Sequence, residues 1–249
     1  MLEARLLAWT AGAHVVLAAV LAVLAVTTST PLAKPLKFAV SIALLLASLA
    51  AVVPRLQVAP VARAAIAWTL VVTMVIEMAA IVLQAARRTP SHFNTSTPFD
   101  TLVWNVMGAA IVVAFLSLVA CALLASLRPL RGLAGADALA WRAGLWLVLL
   151  AAVSGFLMAR LGRHSIGGVD GGAGLPVTGW STAHGDLRVS HFIALHALQV
   201  LPITSWVLAR ASVDERVRRG VVVALAVGVV MFVVASFGQA LAARPLIRL

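Results

Sequence analysis

The chain has 249 residues, of which 63% are hydrophobic and 11% are charged, and its formal net charge is +11. The apolar fraction exceeds the ~45 to 50% of a soluble domain and predicts a polytopic membrane protein in contact with a lipid bilayer. The positive charge does not indicate a nucleic-acid partner, because the arginines flank apolar segments, where they act as membrane anchors and topology signals. One cysteine, Cys121, excludes a disulfide framework and any CxxC motif.

Seven segments are long and apolar enough to cross a hydrocarbon core of ~30 Å as helices. Strands of a membrane barrel would be only ~10 residues long, so the predicted fold class is all-α, a bundle of seven transmembrane helices. The predicted spans are 7–26, 36–53, 64–86, 99–127, 139–161, 189–210 and 217–242. Because the connections leave no room for a soluble domain, residues 1–249 are expected to form a single transmembrane domain.

The topology follows from the number of spans, which places the two termini on opposite sides. Ten Lys and Arg residues fall on the N-terminal side and nine on the other. Several of the nine border the long loop 162–188, and long loops count for less in the positive-inside rule, so we expect a cytoplasmic N-terminus. The Ala- and Arg-rich composition favours a bacterial inner or plasma membrane.

Two tetrapeptides resemble each other, SerThrProLeu at 29–32 and SerThrProPhe at 96–99. Each precedes an even-numbered helix, where Ser or Thr caps the helix and proline occupies its first turn. The alternative is a duplicated helical hairpin, which is a common origin of transporter folds.

Glu77 is the only one of the eight acidic residues that falls near the middle of an apolar segment. A charge at the centre of a membrane helix costs about 2.5 to 3.5 kcal/mol on insertion scales, unless it is paired, protonated or facing water. At 1.5 Å per residue, Glu77 lies about 13 Å from the outer end of the third helix. This position predicts a functional site.

Most other polar side chains of the spans lie in the same outer half of the predicted membrane. His196 lies about 10 Å from the outer helix end, close to the depth of Glu77, and Gln84 and Arg88 share the helical face of Glu77. We therefore predict a titratable, catalytic centre of Glu77 and His196. The predicted ligand-binding residues are Lys37, Gln84, Arg88, Asn105, Gln199, Gln239, Trp180, Asp186 and Arg188. The alternatives are interhelical hydrogen bonds for the amides and a plain ion pair for Asp186 with Arg188.

The loop 162–188 is rich in glycine and carries Trp180, His184, Asp186 and Arg188. A loop of this length commonly folds over a functional site, so it is predicted to be a lid on the outer side.

Four functions fit this pattern. The first is a proton-linked carrier or binding protein for a small polar solute, in which Glu77 is the carboxylate whose protonation is coupled to binding. The second is a metalloenzyme that binds a divalent metal through His191, His196, His92 and His184. The third is a redox protein that holds haem b between His196 and His14 and acts on a quinone. The fourth is a structural subunit of a membrane complex, and homo- or hetero-oligomers are compatible with all four.

The first of these is the hypothesis that the sequence favours. The spacing of His191 and His196 places them about 140° apart on a helix, which is poor for shared metal binding. Motifs such as GxSxG, HExxH and the Walker A loop are absent from the sequence, so the question of enzymatic activity stays open.

Overall fold

The computed structural model describes residues 2–28 and 30–248, and these residues are mainly α-helical. The helices are α1 (Leu2–Thr27), α2 (Ala33–Val52), α3 (Pro60–Ala86), α4 (Pro98–Leu127), α5 (Gly135–Leu161), α6 (Arg188–Arg210) and α7 (Glu215–Leu241). A 3-10 turn at Val53–Arg55 extends α2, and two short strands, β1 (Ser165–Ile166) and β2 (Gly185–Asp186), lie between α5 and α6. All seven helices are long and apolar enough to cross a membrane, which confirms the predicted all-α class and helix number.

Local sequence explains several helix ends. Thr97 caps α4 by accepting a hydrogen bond from the Asp100 amide at 3.1 Å, and Pro98 takes the first position, as predicted. The same prediction is wrong for α2, which begins at Ala33 after Leu32 without a side-chain cap. Ser29 of the first tetrapeptide lies outside the described residues.

The chain divides into two compact units, Met1–Leu133 and Ala134–Leu249. In the first unit α1 packs on α2 and α3, and α4 packs on α3. In the second unit α5, α6 and α7 all pack on one another. Small buried residues such as Ala39, Ala67, Ala140 and Ala194 line these helices and allow close approach.

Each unit contains one ion pair between the start of its first helix and the start of its third. In the first unit Arg63 Nε donates to Glu3 Oε1 at 2.9 Å. In the second unit Arg218 donates to Asp137 Oδ1 at 2.6 Å. Each arginine is the fourth residue of its helix. The helices therefore extend beyond the apolar spans predicted from sequence, because their charged ends are paired within the protein.

The far ends of α3 and α7 also match. Gln84 and Gln239 each lie 21 residues after the paired arginine of their helix. Both helices then end in a left-handed residue, Arg88 with φ 56° and Ala243 with φ 58°. The following amide donates back to the glutamine carbonyl in both, from Thr89 to Gln84 at 3.0 Å and from Arg244 to Gln239 at 3.1 Å. Both helices thus end with the same hydrogen bond from an amide to the carbonyl five positions earlier, which we call a 6→1 closure.

The two sets of three helices differ mainly in one loop. The paired residues are 60 positions apart in the first unit and 81 apart in the second. This difference of 21 residues is also the difference in length between the α5–α6 loop, 162–187, and the α1–α2 loop, 28–32. Helices α1–α3 and α5–α7 thus follow one plan, and α4 separates them in chain order.

The α5–α6 loop is a folded substructure of the second unit. Strands β1 and β2 pair antiparallel, with Ser165 opposite Asp186. The Gly185 backbone lies so close to α7 that a Cβ there would stand 2.1 Å from the Ala240 carbonyl oxygen. Only glycine fits this contact without displacement of backbone.

Candidate functional site

Glu77 is the eighteenth residue of α3, and its side chain is buried in the first unit. The loop that follows α3 turns back and places His92 beside it, with Nε2 3.5 Å from Glu77 Oε1. The ammonium group of Lys34, at the start of α2, interacts electrostatically with the same carboxylate. The residue that contacts Glu77 is therefore a loop histidine, which the sequence had suggested only as a metal or haem ligand.

Aromatic rings surround His92. Its ring centroid lies 5.4 Å from Phe38, 5.7 Å from Trp104 and 6.0 Å from Phe93. The Ser91 hydroxyl lies 3.1 Å from His92 Nδ1. Phe93 has a left-handed backbone, φ 60°, a conformation that costs a non-glycine residue about 1 to 2 kcal/mol. Packing against Trp104, at 5.2 Å, offsets this cost and fixes the turn.

The pair of Glu77 and His92 is suited to proton exchange. A carboxylate and an imidazole can share a proton directly or through one water molecule. At 3.5 Å the two atoms are slightly too far apart for a strong hydrogen bond, so a small closure or a bridging water would complete the path. Beside these aromatic rings the His92 side chain is 22% exposed, so it is partly shielded from bulk water.

Gln84 lies on α3 nearer its end, and it joins a different network. Its amide is fully buried and donates to Asp100 Oδ1 at 2.8 Å. Arg87 donates to the same oxygen at 2.6 Å, and Thr97 donates to Oδ2 at 2.6 Å. These bonds fasten the end of α3 to the start of α4. The local sequence signal was Asp100 in the first turn of α4, two residues after Pro98.

The other predicted ligand-binding residues of the first unit are more accessible. Arg88 lies beyond the end of α3 and is exposed. Because it is not part of the helix, it does not share the helical face of Glu77 as predicted. Lys37 and Asn105 are also exposed.

In the second unit, His196 is half-buried on α6. Its Nδ1 lies 3.2 Å from Gln199 Oε1, as the helical spacing predicts for neighbours. Its ring packs at 4.3 Å against Phe192, which in turn packs at 5.6 Å against Trp180 of the loop. Phe192, which sequence reasoning missed, therefore joins the predicted residues His196 and Trp180.

Asp186 and Arg188 hold the loop together. Asp186 is buried, and it accepts hydrogen bonds from the Ser181 amide at 2.9 Å and from Arg188 Nε and one terminal nitrogen at 2.9 and 2.6 Å. Burial raises the pKa of Asp186, but the hydrogen bonds and charge of Arg188 outweigh it and hold the pKa below its usual value. Arg188 also donates to the Gly179 carbonyl at 2.6 Å. The ion pair considered from sequence is thus present and shapes the loop.

The histidines lie in separate surroundings. His191 Nδ1 contacts the Ala151 carbonyl at 2.8 Å, and the ring of His184 lies against Gly168. His14 Nδ1 contacts the Thr10 carbonyl at 2.8 Å, and its buried Nε2 has no hydrogen-bond partner among residues 2–28 and 30–248. Within those residues, no group of three or more His, Cys, Asp or Glu side chains is placed to hold a metal ion.

Gln239 lies at the end of α7, where its amide donates to the Pro245 carbonyl at 2.5 Å. Gln239, Arg244, Pro245 and Arg248 line an open cavity of about 430 Å³.

No protein-family model matches this chain, and comparisons with curated proteins and with solved structures give no match either. The function of this chain is therefore inferred from its own sites. Glu77 belongs to the first unit and His196 to the second, and a common centre of the two stays a prediction.

Proposed function

We propose that this chain is a multi-pass membrane protein that carries a small polar solute and couples its movement to proton exchange at Glu77 and His92. The observation that supports this most directly is the 3.5 Å approach of His92 to Glu77, a carboxylate far from both ends of an apolar helix. Ionisable groups within membrane helices commonly mark ion or substrate pathways.

The local chemistry fits a coupled site. Transfer of a proton between Glu77 and His92 changes the charge that a solute beside them would meet. Phe38 and Trp104 offer aromatic faces next to this pair, and Lys34 lies 5.9 Å from the Phe38 ring centre. A binding site with apolar walls and a few charged groups is typical for small ligands.

The common plan of α1–α3 and α5–α7 also favours a carrier. Secondary transporters are frequently built from structural repeats. Because α4 separates the two sets, a membrane-spanning chain would run both in the same direction, as parallel repeats do. The matching ion pairs, Arg63 with Glu3 and Arg218 with Asp137, favour this duplication over the hairpin repeat suggested by the tetrapeptides.

The wider proposal keeps the elements predicted from sequence. The N-terminus would be cytoplasmic in a bacterial inner membrane, and a polar cavity centred on Glu77 and His196 would open outward beneath the 162–188 loop. If the two side chains share one centre, cysteines at both positions in a Cys121→Ala background would be joined by a short thiol cross-linker. Absence of cross-linking in folded protein would remove His196 from the centre.

The carrier proposal is tested with protein in vesicles that contain a pH-sensitive dye. Addition of pooled polar solutes should produce proton movement in vesicles with the unmodified protein and none with Glu77→Gln. Glu215→Gln, a change of the same chemistry at a helix start, should retain the movement. Equal signals from Glu77→Gln and unmodified protein would contradict the proposal, as would a Soret band that shifts on reduction.

A further inference from the structure

We propose that the cavity at the end of α7 is a binding site for a phosphate group, held by Arg244, Arg248 and Gln239. This site belongs to the second unit and does not depend on the carrier proposal.

The positive charge of the two arginines at the cavity is not compensated within the described part of the chain. Arg244 and Arg248 are exposed at the cavity, and neither side chain has a hydrogen bond or ion pair with the described part of the chain. The Gln239 amide carries two N–H groups, and the Pro245 carbonyl accepts from the amide nitrogen. A cavity of about 430 Å³ is large enough for a phosphate and part of the molecule attached to it.

The end of α3 in the first unit corresponds to the end of α7 and shows how such a helix end can bind an oxyanion. There, Gln84 matches Gln239 in helix position and in its 6→1 closure. Gln84 donates to the Asp100 carboxylate at 2.8 Å, and Arg87 donates to the same oxygen at 2.6 Å. An amide and a guanidinium at this end of the helix thus already bind an oxyanion in the first unit, where the protein supplies it. In the second unit Gln239 lines the cavity together with Arg244 and Arg248, although Ala242 stands at the position that corresponds to Arg87.

The nearest acid does not fill this role. Asp186 lines a smaller crevice beside the cavity, together with Gln239 and Arg244. However, its carboxylate already accepts hydrogen bonds from Arg188 and from the Ser181 amide. Its charge is therefore largely compensated, and Arg244 has no ion-pair partner within the described part of the chain.

The chemistry of the site favours phosphate. Guanidinium groups bind phosphate oxygens through paired, charge-assisted hydrogen bonds. The phosphate could belong to an anionic lipid headgroup, because basic pockets at the ends of membrane helices bind such groups, or to free phosphate.

The experiment uses full-length protein and the double variant Arg244→Gln/Arg248→Gln. The matched control is Arg160→Gln/Arg163→Gln, which removes two exposed arginines from the end of α5 in the same unit. Binding of inorganic phosphate is measured by calorimetry in neutral detergent, and retention of phosphatidylglycerol is measured by native mass spectrometry after exposure to vesicles that contain it.

The proposal predicts that the Arg244→Gln/Arg248→Gln change weakens one of these two interactions at least about tenfold, as expected for loss of charge-assisted bonds, and that the control does not. Loss of phosphate binding identifies a free phosphate site, and loss of phosphatidylglycerol alone identifies a lipid site. Binding of neither probe by the unmodified protein, or equal losses in both variants, overturns the proposal. Unchanged thermal unfolding of both variants separates these outcomes from misfolding.

Discussion

Nε2 of His92 lies 3.5 Å from Oε1 of Glu77, although the histidine is in a loop and the carboxylate is deep in α3. The turn that follows α3 brings His92 next to Glu77, and aromatic rings pack around the histidine. This relationship gives the proposed proton pathway an internal reporter, because the Trp104 ring is 5.7 Å from His92.

Protonation of His92 should quench the fluorescence of Trp104, since an imidazolium in contact with an indole ring is an effective quencher. We expect a pH-dependent emission change in the unmodified protein and its loss in Trp104→Phe. Glu77→Gln removes the carboxyl group whose Oε1 lies 3.5 Å from His92 Nε2, so the pH dependence of the emission should change in this variant. An identical midpoint in Glu77→Gln would show that the two groups are not coupled.

The two ion pairs should differ in strength. Arg63 and Glu3 have side chains that are only 10% and 6% exposed, whereas Asp137 is 37% exposed. Arg63→Met leaves a shielded carboxylate without its donor and should cost about 1 to 3 kcal/mol of unfolding free energy. Arg218→Met should cost less than Arg63→Met, because Asp137 is more open to the solvent that screens the pair. Unfolding in a graded denaturing detergent measures both, and equal losses would contradict the ranking.

The loop should loosen in acid. Because the folded-state pKa of Asp186 is below its usual value, its contribution is complete above the unfolded pKa of about 3.9 and is lost as pH falls through the folded value. Pepsin cleavage within 162–187 should therefore increase as pH falls below about 4. Pepsin should cleave the Asp186→Asn variant readily both above and below this pH. Resistance of this variant to pepsin above this pH would mean that other contacts stabilise the loop.

Gly185→Ala should displace the loop from α7, since the new Cβ would lie 2.1 Å from the Ala240 carbonyl oxygen. Gly172→Ala is the matched control, because its Cβ would meet nothing within 4 Å. Hydrogen exchange of β2 and of the last turn of α7 should rise at least about tenfold in Gly185→Ala and stay unchanged in the control. No difference between the two would mean that the β2 contact does not hold the loop.

Gln84→Leu and Gln239→Leu test the difference between the matched helix ends. Gln84 is fully buried and bonded to Asp100, so its loss leaves an acceptor without one donor and should cost about 1 to 3 kcal/mol. Gln239 faces an open cavity, and its replacement should change stability by less than about 0.5 kcal/mol. Thermal unfolding of both variants provides the comparison, and a larger loss for Gln239→Leu would reject the assigned roles.

Sequence alone determined the helix number and the position of Glu77 within an apolar helix. Length and apolarity are local properties of a segment, and the cost of a mid-helix carboxylate depends only on its position within that segment. For the same reason, the neighbours His196 and Gln199 could be predicted from helical spacing.

Only the tertiary structure decided which distant residues meet. His92 reaches Glu77 because a strained turn at Phe93 folds the loop back, and no periodicity in the sequence encodes that direction. Arg63 and Arg218 hold equivalent positions, but the second unit has 21 additional residues between its paired positions, so the sequence does not align them. The equivalence is recognised from the carboxylate that each arginine contacts. Contacts of this kind depend on packing between segments, which the local pattern of a chain does not specify.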